Sequence, residues 1–291
     1  RKVEIPFPPL PEQRKIASVL YAVDQAIQKT EEIIEQAQRV KRGLLEELML
    51  RGITDSGSMR VPPEESPEAY VEKRRHRIPS DWKLTSLQDL CTDDVTYGIV
   101  QAGPHIEGGV PYVKTGDMTD DQLSVEDLSR TSPEIAEKYS RSRVDAGELI
   151  ITIRATVGVV KEVPEELDGA NLTQGTARIA PGPQVDNKFL LWAIRSSKVQ
   201  SQIRARLKGT TFDEITLGQL RQILIPHPVD IDEQKRIANR VSTLEEEIVT
   251  ERSNLGSYQR LKKGLMQDLL TGEVRTADKA IDVLDEVVEH G

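Results

Sequence analysis

One internal repeat constrains this chain more than any other feature. The stretch "IPFPPLPEQRKIA" from Ile5 returns as "IPHPVDIDEQKRIA" from Ile225. Placing Ile16 on Ile237 also superposes Glu12-Gln13 on Glu233-Gln234, Gln38-Arg39 on Gln259-Arg260, Lys41 on Lys262, Gly43-Leu44 on Gly264-Leu265 and Leu48 on Leu269. Upstream, with one residue of slack, Arg1, Val3 and Ile5 fall on Arg221, Ile223 and Ile225. The unit that recurs is the end of a strand, a Pro-rich corner and a long helix.

The helix follows from periodicity. Apolar residues stand at Ile16, Leu20, Val23, Ile27, Ile34, Ala37, Leu44 and Leu48, and in the second copy at Ile237, Val241, Leu244, Ile248, Leu255, Tyr258, Leu265 and Leu269. Alternating steps of three and four form a coiled-coil seam. The seam passes through polar residues at Thr30 and Lys41, and at the matching Glu251 and Lys262. Polar seam positions cost stability and specify register, and matched faults at one offset are not a chance of composition. Each helix is about 40 residues and roughly 60 Å long. A stripe this narrow on so long a helix fits a second stripe like it, so the two copies are expected to pack together. The competing expectation is two amphipathic helices laid on a globular core. Pro6, Pro8, Pro9 and Pro11 cannot sit in a helix interior and favour extended backbone before them, which marks a stiff corner.

What lies between the helices is different in kind. Residues 52–77, rich in Gly, Ser, Pro and Glu, are expected as a linker; their basic run Lys73, Arg74, Arg75, Arg77 fits a solvated face or a phosphate contact. A domain opening "IPSDW" at 78 follows. Its short apolar runs, "GGVPYVKTGDM", "GELIITIRATVGVVKEV" and "NLTQGTARIA", are separated by glycine and predict strands. "NKFLLWAIRSSKVQSQIRARL" predicts one helix with Asn187 near its N-cap. "GTTFDEITLGQLRQILIP" predicts a turn, a short helix and a closing strand. The fold class is α+β: one mixed α/β domain flanked by two long helices. Residues 273–291 form an acidic tail.

No catalytic signature is legible. There is no Gly-rich cofactor loop with an Asn/Asp-Pro-Pro-aromatic motif, no Gly-Lys-Ser/Thr phosphate loop, and no carboxylate–lysine set of a nuclease. Asp145 and Glu148 fit a turn entering a strand. One cysteine, Cys91, and four scattered histidines offer neither a disulfide framework nor metal-ligand spacing, so no metal and no cofactor are expected. No apolar run approaches the ~20 residues of a membrane span, and a cytoplasmic location is expected.

Charge narrows what such a domain binds. The chain carries a formal net charge of −9, which argues against purely electrostatic nucleic-acid binding. Yet Lys188, Arg195, Lys198, Arg204, Arg206 and Lys208 succeed one another with no acid between them. Phosphate contact needs only such a local face. Beside it lie turns with base-reading chemistry: Lys114 and Thr115; Arg154 and Thr156; Asn171, Thr173 and Gln174; Lys208, Thr210 and Thr211. Arg or Lys reads guanine and Asn or Gln reads adenine, each bidentate pair discriminating by ~1–3 kcal/mol. The candidate DNA contacts are these residues with Lys198, Arg204 and Arg206. A protein-interaction scaffold is the rival class, favoured by the acidic net charge and disfavoured by the basic segment.

Two copies of a Pro-Pro-Leu-x-Glu-Gln-x-x-Ile-Ala corner resemble the specificity subunits of Type I restriction–modification systems. The motif residues are Pro8-Pro9-Leu10-Pro11-Glu12-Gln13 with Ile16-Ala17, then Asp232-Glu233-Gln234 with Ile237-Ala238. Each copy opens a long helix closed by Lys41-Arg42-Gly43-Leu44 or Lys262-Lys263-Gly264-Leu265, with an "IPxxW" domain between. The resemblance implies a non-catalytic subunit with two target-recognition domains, each reading half of a split site in double-stranded DNA. It implies an antiparallel coiled coil that spaces the domains and docks modification (methyltransferase) subunits, with restriction subunits outside. Here only one recognition domain is present. The expected division is 1–11, the end of a missing upstream domain and its turn; 12–51, first helix; 52–77, linker; 78–231, recognition domain and turn; 232–272, second helix; 273–291, tail. Self-association of such half-subunits, or an inactive truncated subunit, belong to the same expectation.

Overall fold

The structure is a computed structural model and describes residues 8–119, 123, 125–208 and 213–271. The acidic tail, the strand expected at Arg1 to Ile5, and Thr210 and Thr211 lie outside the described residues. Along the chain come α1 (Leu10–Arg51), β1 (Tyr70–Lys73), β2 (His76–Pro79), β3 (Trp82–Ser86), β4 (Thr96–Tyr97), β5 (Val110–Val113), β6 (Arg130–Thr131) and α2 (Pro133–Lys138). There follow β7 (Leu149–Thr152), β8 (Val160–Glu162), β9 (Asn171–Leu172), β10 (Thr176–Ile179), α3 (Asn187–Arg195), α4 (Ser197–Arg204), α5 (Leu217–Arg221), β11 (Leu224–Pro228) and α6 (Ile231–Thr271). The chain divides into two units: one holds Arg1–Arg42 with Thr243–Gly291, the other Gly43–Ser242.

The first unit is the helix pair. Its stripe residues Ile16, Ile34, Ile248 and Leu269 are buried, and Leu20, Val23, Ile27, Leu244, Leu255 and Leu265 are half-buried. Lys41 pairs with Glu245, and Lys262 Nζ lies 2.6 Å from Asp24 Oδ1. As one helix ascends the other descends, so the pair is antiparallel. The two bridges are also copies of each other: the offset that carries Lys41 onto Lys262 carries Asp24 onto Glu245. Each lysine that interrupts the apolar stripe thus meets a carboxylate on the opposite helix. Thr30, the other interruption in the first helix, is buried and donates its hydroxyl to Ala26 O at 2.8 Å within its own helix.

Partly exposed ion pairs contribute about 0.2–1 kcal/mol each, so their main effect is on register. Reversing both lysines (Lys41→Glu with Lys262→Glu) replaces two attractions by two repulsions. The expected result is a loss of roughly 1–3 kcal/mol. Adding Asp24→Lys and Glu245→Lys should restore most of it. A quadruple variant that melts no higher than the double would show that these pairs do not set the register.

The second unit is α+β. An antiparallel sheet of order β4-β10-β7-β8 forms its centre, with a smaller sheet β6-β5-β9 in which β5 and β9 run parallel. Strand β7 is buried at every residue, as its continuous apolar run requires. β3 and β11, the first and last strands of the "IPxxW" domain, pair antiparallel and close it. The core gathers Trp82, Phe189, Leu149, Ile151 and Ile225 with Leu48, Ile237 and Val241. Leu48, Ile237 and Val241, expected on the coiled-coil seam, therefore serve this core, and half-buried Leu44 packs against it. An apolar stripe cannot distinguish a helix partner from a domain face.

Two expectations need correction. Residues 52–77, expected as a linker, are folded: Ile53 bridges Met59, and β1 pairs with β2 in a hairpin, with Ile53 and Tyr70 buried. Turn-forming residues there build turns within a fold. The single helix expected from Asn187 to Leu207 is broken at Ser196, whose backbone is extended. Its hydroxyl donates to Ala193 O at 2.7 Å, and Glu46 accepts from Ser197 N at 2.7 Å and Ser197 Oγ at 2.6 Å. Serine pairs offer the backbone such alternatives to helix. The N-cap of α3 is Asp186, next to Asn187, and it accepts from Phe189 N at 2.9 Å.

The repeated Glu-Gln pair has a structural role in its second copy. Glu233, in the first turn of α6, is 4% exposed. It accepts from Arg60 through both oxygens, from Ile53 N at 3.0 Å and from Trp82 Nε1 at 3.3 Å. The Glu233 carboxylate raises the Arg60 pKa further and holds the guanidinium charged. Gly52 lies against this cluster at φ 68°; a Cβ there would stand 2.2 Å from Glu233 Oε1. Gln234, fully buried, accepts from Asp186 N at 2.7 Å and donates to Pro228 O at 2.8 Å. In the first copy Gln13 donates to Pro8 O at 2.8 Å. This is the equivalent bond, since Pro8 matches Pro228 once the one-residue slack is allowed. The glutamine of the motif closes the Pro-rich corner onto its own helix.

Candidate nucleic-acid interface

The turns singled out in the sequence are far apart in the chain, and the fold stitches them together. The carbonyl of Gly175 accepts from Thr115 Oγ1 at 3.1 Å and from Ile153 N at 2.9 Å. Thr173 N donates to Val113 O at 3.1 Å, so the turn after β9 lies beside the turn after β5. Ala155 N donates to Asp213 O and Ile215 N to Ile153 O, and Lys208 and Glu214 exchange both backbone bonds. One chain of contacts therefore links 114–115, 173–175, 153–156, 213–215 and 208. Gly175 is needed where they meet, because a Cβ there would stand 2.4 Å from Thr115 Oγ1.

Within this set the side chains differ in what they can offer. Lys114 Nζ donates to Ser129 Oγ at 2.8 Å and stays partly exposed. Arg154 is held by Glu214, with Nε and Nη2 both 2.9 Å from Oε1. Both residues are 43% exposed, so the guanidinium is oriented without being sealed off. Thr156 is exposed, and Ala155 beside it takes φ 62°, an uncommon conformation for a residue with a Cβ. Thr173 and Gln174 are half-buried.

Asn171 is removed from the set. It is fully buried, and its Nδ2 donates to Ala136 O at 3.0 Å. Its amide props α2, so it cannot reach a base edge. Sequence patterning did not reveal this because a two-residue strand leaves no alternation to show which face a residue takes. The sequence also gave no reason to choose Tyr97 and Val100, which are exposed beside the same turns: Gly98 N donates to Thr173 O at 3.1 Å, and Gln174 N donates to Ile99 O at 3.0 Å.

The basic segment is divided by the break at Ser196. Arg195 donates to Val160 O at 2.9 Å and lies 4.9 Å over the Trp192 ring, so it belongs to the domain's framework. Arg204 is exposed and touches Ser201 Oγ at 3.1 Å. Lys208 is exposed at the turn cluster. Lys198 and Arg206 instead line an open pocket with Arg74, Arg75 and His76.

Other titratable groups are accounted for structurally. Glu148 accepts from Arg178 Nε at 2.7 Å and from Asp145 N at 3.0 Å, and it lies buried at the entrance to β7. Burial pushes the Cys91 thiol up to about 12, so it holds its proton at neutral pH. Among the described residues no group of His, Cys, Asp and Glu is arranged to hold a metal ion, and no helix is long and apolar enough to cross a membrane.

Comparison with known proteins places this arrangement in a family. The profile described as Type I restriction modification DNA specificity domain matches residues 1–39 and 79–255. The MjaVIII specificity subunit of a Type I restriction enzyme from Methanocaldococcus jannaschii is 25% identical over 282 residues, covering 94% of this chain and 62% of that protein. The EcoBI specificity subunit from Escherichia coli is 26% identical over 243 residues, covering 82% and 51%. The chain thus spans between half and two thirds of these relatives' length. In fold it is similar to the S subunit of a Type I restriction–modification system from M. genitalium, with a TM-score of 0.58 at 14% identity over 90% of this chain and 61% of that one. It is also similar to the HsdS subunit from Thermoanaerobacter tengcongensis, with a TM-score of 0.53 at 17% identity over 93% and 60%.

Proposed function

Because the chain belongs to the Type I restriction modification DNA specificity domain family, we propose that it is the DNA-recognition component of a restriction–modification complex and itself carries out no catalysis. It reads one half of a bipartite site in double-stranded DNA. It docks modification (methyltransferase) subunits on its helix pair and, through them, restriction subunits. The recognition body spans 78–231, and the helices of 12–51 and 232–272 form the docking surface. It acts in the cytoplasm, where it reaches chromosomal DNA. The observation that carries this reading is the convergence on Gly175 of turns bearing Lys114, Thr115, Arg154, Thr173 and Gln174, continued through Glu214 to Lys208.

Direct readout and backbone contact have separable signatures. Arg204→Ala and Lys208→Ala remove charges that touch phosphate. Each should weaken binding alike on all duplexes and reduce the slope of log affinity against log salt by about 1. Arg154→Ala removes a base reader and should relax one position of the target by ~1–3 kcal/mol, with the slope kept. Loss of discrimination at one base in the Lys208 variant, with an unchanged salt slope, would overturn that division of labour.

The reading as a whole is tested by co-expression with a modification subunit, followed by sequencing of methylated host DNA. A split methylated motif is expected. Inverted, identical halves mean that two copies of this chain pair; unlike halves mean that a second recognition domain joins it. Absence of both complex and methylation refutes the reading.

A further inference from the structure

The pocket lined by Arg74, Arg75, His76, Lys198 and Arg206 is separate in its residues from the turn cluster. It has a volume of about 820 Å³, and among the described residues its lining contains no carboxylate. Four of its residues are arginine or lysine: Arg74, Arg75, Lys198 and Arg206. Two observations show that it is built rather than merely basic. His76 is only 8% exposed, and its buried Nδ1 has no hydrogen-bond partner among the described residues. Buried polar atoms are nearly always paired in folded proteins, so an unpartnered imidazole nitrogen on a residue that lines the pocket sets this site apart from a solvated basic face. The turn between β1 and β2 also places both its central residues at positive φ, Arg74 at 47° and Arg75 at 67°. Hairpins of this kind normally use Asn-Gly. Two arginines there strain the backbone, and strain of this sort persists where a site uses it.

We propose that this pocket is a phosphate-binding site that seats a backbone phosphate of the DNA duplex. The assignment to DNA rests on the function proposed above; the phosphate chemistry does not. The guanidinium groups that line it match a phosphate's paired oxygens. Lys198, half-buried and destabilised in its charged form by burial, gains by receiving an anion. Glu46 and Glu72 are the acidic groups that act on Lys198 from outside the lining. The duplex is favoured as the source because Arg206 lines the pocket while Lys208, two residues on, joins the turn cluster through Glu214.

The test uses the whole chain and a variant that suits the turn better than the parent, Arg74→Asn with Arg75→Gly. It should melt at the parental temperature or above, since Asn-Gly relieves the strain. Inorganic phosphate is titrated while the His76 ring is followed by NMR, and affinity for a random duplex is measured against salt. Expected are a His76 shift with phosphate in the parent, its loss in the variant, and a salt slope reduced by about 1–2 with binding several-fold weaker. A phosphate response with an unchanged duplex slope would overturn the DNA assignment and leave a site for free phosphate. No phosphate response and an unchanged slope would overturn the site. Should the parent bind no duplex, the function proposed above fails, and the phosphate titration decides the pocket by itself.

Discussion

Replacing Glu233 with alanine should destabilise the protein by about 3 kcal/mol or more, although the residue is remote in sequence from most of its partners. Removing one member of a buried ion pair costs about 3–5 kcal/mol. The lower part of that range applies because Arg60 stays 18% exposed and keeps Asp81 at 2.7 Å. Trp82 Nε1 and Ile53 N lose their acceptor in the same step, and both are buried. At about 2–4 °C per kcal/mol for a body of this size, the melting temperature should fall by roughly 6–12 °C. Glu233→Gln, which keeps the shape and one acceptor, should cost less. Combining Glu233→Ala with Arg60→Ala should cost less than the two changes summed, because the second no longer strands a charge. A Glu233→Ala protein melting within a degree or two of the parent would sink the view that this carboxylate joins α6, the segment after α1 and β3.

Gly98→Ala should do comparable damage confined to the reading edge. A Cβ at Gly98 would stand 1.9 Å from Leu172 O and 2.2 Å from Leu172 C. These are backbone atoms and cannot swing aside as the end of a side chain can. The strand must separate, giving up Gly98 N to Thr173 O, Ile99 N to Leu172 O and Gln174 N to Ile99 O. Three hydrogen bonds at about 1 kcal/mol each put the cost near 3 kcal/mol. The functional effect should exceed the thermal one, since Thr173 and Gln174 lose their position against Thr115: discrimination between duplexes should vanish while residual salt-sensitive binding remains. Gly43→Ala is the control. It lies within α1 with nothing within 4 Å of the added carbon, and should be neutral or slightly stabilising. Target discrimination by Gly98→Ala equal to that of the parent would exclude these turns from base reading.

The two long helices and their Pro-rich corners were within reach of the sequence, whereas the pairing of Lys41 with Glu245 and of Lys262 with Asp24 came only from the structure. A 3.5-residue period repeated at one fixed offset is a local pattern that survives without any knowledge of packing. The mixed character of the domain was legible for the same reason, from short apolar runs cut by glycine. Which turns could read bases was legible only as chemistry. Asn171 and Thr173 look equally suitable in "NLTQG", yet one is buried against α2 and the other borders the cluster.

Tertiary structure alone decided the rest. It decided that the Gly/Pro/Ser-rich stretch after α1 folds into a hairpin whose two arginines meet Lys198 and Arg206, and that Glu233 lies beneath Trp82 and Arg60. It also decided that Leu48, Ile237 and Val241 serve the domain core rather than the helix seam. The physical reason is common to all of these. Periodicity and turn chemistry act over a few residues, whereas an ion pair joins positions 60 and 233, a hydrogen bond joins 115 and 175, and one pocket gathers 75 and 206, and no local pattern encodes their proximity.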